Sequence, residues 1–111
     1  MEFSVENKEN YSVVTTNVDK LNVANASNLK ATLVTLNKNN VNNLIIDLSK
    51  TNYCDSSGLS AILTGNRLCK NASGTFVICG LQPNVNKMIE IAQLNRVLNI
   101  QETLDQAAQQ L

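Results

Sequence analysis

The stretch "LIIDLSKTNYCDSSGLSAIL", residues 44–63, sets the reading of the whole chain. It opens on a continuous apolar run, residues 44–48, bounded by polar loops and too short for a helix. Such a run suits a central strand covered on both faces. Ten residues follow, 49–58, all polar or small but for Tyr53. From Leu59 the apolar positions then recur at helical spacing, with Ala61, Ile62, Leu63 and Leu68 on one side up to about Lys70. A buried strand that feeds a helix through a short polar loop is the unit of an α/β fold.

Working outward, "TFVIC" (75–79) reads as a second buried strand, separated from the helix by "NASG" (71–74). Gly74 suits the left-handed turn that ends many helices. Pro83 opens a third helix, where its missing N–H costs nothing. Val85, Met88, Ile89 and Ala92 would line its inner face, "VLNI" (97–100) would add a short strand, and Thr103 would start a last helix carrying Leu104, Ala107, Ala108 and Leu111. Upstream, residues 3–5 and 11–18 read as two strands around the turn-forming "NKEN". In the second, Tyr11, Val13 and Thr15 fall on one face and Val14 and Thr16 on the other. Ala26, Leu29, Leu33 and Leu36 then mark an amphipathic helix that begins near Asn25 and ends near "NKNN". The expected architecture is α/β: one domain over residues 1–111, a mixed sheet of four to five strands, and about four helices packed chiefly on one face.

Composition narrows the function. The chain of 111 residues carries nine basic and nine acidic side chains, scattered rather than clustered, so neither nucleic acid nor an anionic membrane is an expected partner. No apolar run approaches the length of a membrane span and no signal-peptide pattern opens the chain, which leads to the expectation of a cytoplasmic protein. Histidine is absent, which removes histidine-dependent catalysis and histidine metal sites. Cys54, Cys69 and Cys79 are odd in number and lack metal-site spacing, so no metal is expected and they read as small apolar core residues.

The site candidate is Asp55, Ser56, Ser57 and Gly58, directly in front of the second helix. One reading is structural: Asp55 or Ser56 caps the helix and Gly58 lets the backbone turn closely. The other is functional. A serine at an exposed helix start can take a phosphate without disturbing the fold, because free N–H groups and the positive end of the helix face it. The added charge of about −1.5 to −2 would repel a surface that the neutral hydroxyl fits. Nucleophilic catalysis by Ser57 lacks a base, since only Lys50 or Lys70 could serve and no spacing points to either. The G-x-S-x-G elbow and the P-loop glycines are missing as well.

"IIDLSKTNYCDSSGLSAIL" resembles the signature of the STAS domain family of anti-sigma factor antagonists, in which a strand ending in Asp-Leu precedes a D-S-S/T-G-L helix start. "DKLNVANASNL" (19–29) resembles that family's G-x-L-D-x-x-x-A-x-x-L segment, with Asp19 and Asn22 where the family has Gly and Asp. The resemblance implies that Ser57 accepts a phosphoryl group from an anti-sigma factor serine kinase. It further implies that the unphosphorylated form binds that kinase and frees a sigma factor, and that a phosphoserine phosphatase resets the switch. Asp55, Ser56, Gly58, Leu59 and Asn22 would form the partner-binding surface. No enzyme activity and no cofactor are expected of this chain, because the ATP belongs to the kinase. The Gly-to-Asp departure would leave Asp19 in a left-handed backbone that it adopts only in part. The alternative is a non-switching STAS subunit of a larger assembly, such as an ABC-type membrane transport complex. Monomer and dimer both remain open.

Overall fold

The computed structural model describes residues 1–111. Its strands are β1 (Phe3–Asn7), β2 (Ser12–Thr16), β3 (Lys20–Leu21), β4 (Leu44–Asp47), β5 (Tyr53–Cys54), β6 (Phe76–Cys79) and β7 (Asn99–Gln101). Its helices are α1 (Ala26–Lys38), α2 (Ser56–Asn71), α3 (Pro83–Ile91) and α4 (Leu104–Ala108). Five strands form one mixed sheet in the order β1-β2-β4-β6-β7, with β1 antiparallel to β2 and every other pair parallel. The apolar run that begins at Leu44 is the middle strand.

Strand register explains why two adjacent isoleucines serve different cores. Val14, Ile46, Ile78 and Ile100 lie in one row across the sheet, and Val13, Ile45, Val77 and Asn99 in the next. Because side chains alternate between faces, the first row meets α1, α2 and α3 and the second meets α4. The first face holds a core of 20 buried residues, the second a cluster of 5. The expectation of helices chiefly on one face holds. Ala26, Leu29, Leu33 and Leu36 are the buried stripe of α1, as their spacing predicts. All three cysteines are buried and unpaired. Burial pushes the Cys69 thiol up to about 11 and those of Cys54 and Cys79 to about 12, the latter two with help from Asp55 and Asp47, so all three stay neutral and pack as apolar groups.

Several details differ from expectation. The left-handed residue after α2 is Ser73, at φ 60°, not Gly74. Gly74 is needed for another reason: a Cβ there would collide with the Asn42 backbone carbonyl. Ala92 is exposed at the end of α3 instead of lining its inner face, and Leu104 is exposed on α4. The last strand begins at Asn99, because the N–H groups of Val97 and Leu98 close back onto the Leu94 carbonyl of the 3-10 turn Leu94–Arg96. The two-residue strands β3 and β5 pair in parallel as a separate ribbon, too short to carry a period in the sequence. No helix is long and apolar enough to cross a membrane.

Candidate functional site

The β3–β5 ribbon builds the site. Lys20 pairs with Tyr53 and Leu21 with Cys54, and the Asp55 N–H donates to the Leu21 carbonyl at 3.1 Å. Just upstream, the Asp19 carbonyl accepts from the N–H groups of Asn52 and Tyr53, at 2.8 and 3.1 Å. Its carboxylate accepts from Asn52 Nδ2 at 2.8 Å. Asp19 does not adopt a left-handed backbone, so the strain expected from replacing glycine is not there. The buried Thr51 hydroxyl bonds to the Val18 carbonyl at 2.7 Å and pairs with Thr16 Oγ1 at 2.6 Å. These bonds tie the chain after β4 to the chain after β2. The starts of α1 and α2 are thereby set beside each other.

At the start of α2 the N-cap is Asp55, whose backbone is extended and whose Oδ1 accepts from the Gly58 N–H at 3.0 Å. The Leu59 N–H closes the first turn onto the Asp55 carbonyl at 3.0 Å. Asp55, not Ser56, is therefore the capping residue of the two candidates. The N–H groups of Ser56 and Ser57 have no backbone acceptor, as the first turn of a helix dictates. Neither hydroxyl makes a hydrogen bond within the protein. Ser56 is exposed and Ser57 half-buried. Gly58 does not turn the chain; it sits inside α2 with ordinary backbone angles. A Cβ there would lie 2.6 Å from both Cys54 Sγ and the Leu21 carbonyl oxygen, so glycine lets the helix rest directly on the ribbon. Gly58 and Leu59 are both buried, Leu59 in the main core. Both therefore support the surface from below, Gly58 against the ribbon and Leu59 in the core.

The start of α1 is organised differently. Asn25 is nearly buried, donates from Nδ2 to the Lys20 carbonyl at 2.9 Å and accepts the Asn22 N–H on Oδ1 at 3.0 Å. Asn22 in turn accepts the Ala24 N–H on its own Oδ1 at 3.0 Å. The half-buried Asn22 side chain thus holds its own turn, within reach of the surface but already engaged. Between the two helix starts lies an open groove of about 330 Å³, lined by Val23, Ser27 and Lys30 on one side and Ser56, Ser57 and Ser60 on the other. Val23 is 77% exposed at its rim. Lys30 and Val23 did not stand out in the sequence, although Ala26 and Lys30 are four apart and so share a helix face. No group of His, Cys, Asp and Glu is placed to hold a metal ion. Lys50, one of the two bases weighed for Ser57, donates instead to Asn17 at 3.4 Å.

The sequence matches the STAS domain over residues 2–107. The chain belongs to the STAS domain family. Among proteins of this family, it is 27% identical over 88 residues to BtrV of Bordetella bronchiseptica, a protein assigned as an anti-sigma factor antagonist, covering 79% of this chain and 76% of that one. Its fold superposes with a TM-score of 0.87 on a Thermotoga maritima protein of the same assignment, 22% identical, over 97% of this chain and 92% of that one. It also superposes on the anti-sigma factor antagonist SpoIIAA in its unphosphorylated form (TM-score 0.76, 18% identical, 96% and 93% covered). The phosphorylated form of the Bacillus protein matches as well (TM-score 0.75, 18% identical, 97% of both chains). At these identities the likeness to the solved structures is one of fold.

Proposed function

We propose that this STAS domain is an anti-sigma factor antagonist that works by partner switching from the cytoplasm. In the unphosphorylated state the surface around Asp55, Ser56, Ser57 and the Asn22 turn docks on an anti-sigma factor that is also a serine kinase, and the sigma factor is released. The kinase then transfers a phosphoryl group. Ser57 Oγ forms a bond to the γ-phosphorus of kinase-bound ATP, the bond to the ADP oxygen breaks, and the hydroxyl proton passes to a base of the kinase. The dianion so formed opposes re-docking. A phosphatase restores the switch when water takes the phosphoryl group as inorganic phosphate and the serine oxygen regains its proton.

One observation carries this reading: the Ser57 hydroxyl is unengaged, faces an open groove, and stands on a helix start whose cap is supplied by another residue. Modification can therefore change the surface without removing a bond that the fold uses. The chain is a substrate and a binder here, not a catalyst. Incubation with ATP and candidate serine kinases from the same cell, read by intact mass, should add a single phosphoryl group that Ser57→Ala abolishes. Failure of every such kinase to modify the wild-type chain, with stable co-purification on a transport ATPase instead, would replace this reading by the transport-subunit one.

A further inference from the structure

We infer that Lys30 is the internal counter-cation of phosphorylated Ser57. The inference rests on the switch reading above but concerns what the domain does with the phosphate once it is present. Ser57 and Lys30 line the same groove from opposite sides, one on the first turn of α2 and the other on the second turn of α1. Lys30 is the sole ionisable side chain lining that groove. It is half-buried, forms no salt bridge and donates no hydrogen bond within the protein. Its position is imposed rather than chosen by the lysine, because the β3–β5 ribbon sets the two helix starts side by side and the α1 stripe Ala26, Leu29 and Leu33 fixes the rotation of that helix. The acidic group nearest to Ser57 in the chain is Asp55, whose Oδ1 is already held by the Gly58 N–H.

A phosphoryl group on Ser57 Oγ would then meet a cation across the groove and the free N–H groups of Ser56 and Ser57 on its own helix. A charge-assisted pair of this kind is stronger than a neutral hydrogen bond. The domain would hold its own phosphate folded against the α1–α2 groove. Part of the groove that a partner's side chain could enter is thereby filled, so release comes from occlusion as well as repulsion. Lys30 acts here as a positioning residue, with no role in the transfer step.

The test does not depend on any kinase. Phosphoserine is installed at position 57 by semisynthesis, and its phosphorus NMR signal is titrated. A phosphoserine second pKa is ordinarily about 6. In the folded wild-type protein it should lie lower, by roughly half a unit or more, than in the same protein unfolded in urea. Lys30→Met, which keeps the apolar stem, should remove most of that difference, and Lys30→Arg should retain it. Equal titration of folded and unfolded wild type overturns the inference without any variant, as does a folded Lys30→Met protein with an unchanged low value. A Ser57 that no kinase modifies, with the shift intact, would sink the switch and leave the Lys30 contact standing.

Discussion

The two helix starts that share the groove are built on opposite plans. At α1, the side chains of Asn22 and Asn25 are spent on the preceding turn and on the Lys20 carbonyl, so the polar groups there are structural. At α2, one carboxylate caps the helix and one glycine seats it, which leaves two consecutive serines with nothing to hold. A run of small polar residues at a helix start thus carries no functional meaning by itself. What separates the two is whether the fold would lose a bond if the side chain changed.

Substitutions can break or sharpen that contrast. The largest effect should come from Ile46→Ala, fully buried in the central strand beneath both helices, at about 2–5 kcal/mol. If the two helices share one seat, hydrogen exchange should report both loosening together. Next, Asn25→Ala should cost about 1–3 kcal/mol by chemical denaturation, since it strands the Lys20 carbonyl and the Asn22 N–H. Gly58→Ala should fall in a similar range, about 1–3 kcal/mol, because the new methyl meets a backbone oxygen that cannot move aside cheaply. Asp55→Ala should cost about 1 kcal/mol in the same assay through loss of the cap.

The smallest effect on stability should come from Ser57→Asp, neutral to about 0.5 kcal/mol stabilising, because an anion in the first turn of a helix is favoured. Its binding to the cognate kinase should nevertheless weaken roughly tenfold or more by calorimetry. A large loss of stability in Ser57→Asp would erase the distinction between the two helix starts and return Ser57 to the class of structural polar residues.

Much of this was readable from the residues. The period of three and four through Ala26, Leu29, Leu33 and Leu36 depends only on one helix burying one stripe, and the structure buries those four. The alternation of Val13 and Val14 placed the two sheet faces correctly for the same reason. Asp55 as a cap was one of two readings, and the extended backbone at Asp55 decided between them. The ribbon of β3 and β5 was not legible, because two residues are too few to show a period and their partners lie 33 positions apart. Gly74 and Ser73 show a related limit: a glycine near a helix end suggested the left-handed residue, but the crowding that demanded it came from Asn42 in another loop.

Local pattern alone therefore determined the order of the five sheet strands and four helices, the buried stripe of α1 and the identity of the motif that starts α2. These follow from the geometry of a single segment, in which neighbours three, four or two apart must share a face. Only the tertiary structure decided that Leu59 and Gly58 are buried supports, that Asn22 is committed to its own turn, and that Lys30 lines the groove across from Ser57. The Asn22 turn is local but shows no period; the other two facts depend on contacts between segments about thirty residues apart, and no periodicity within either segment encodes where the other will lie.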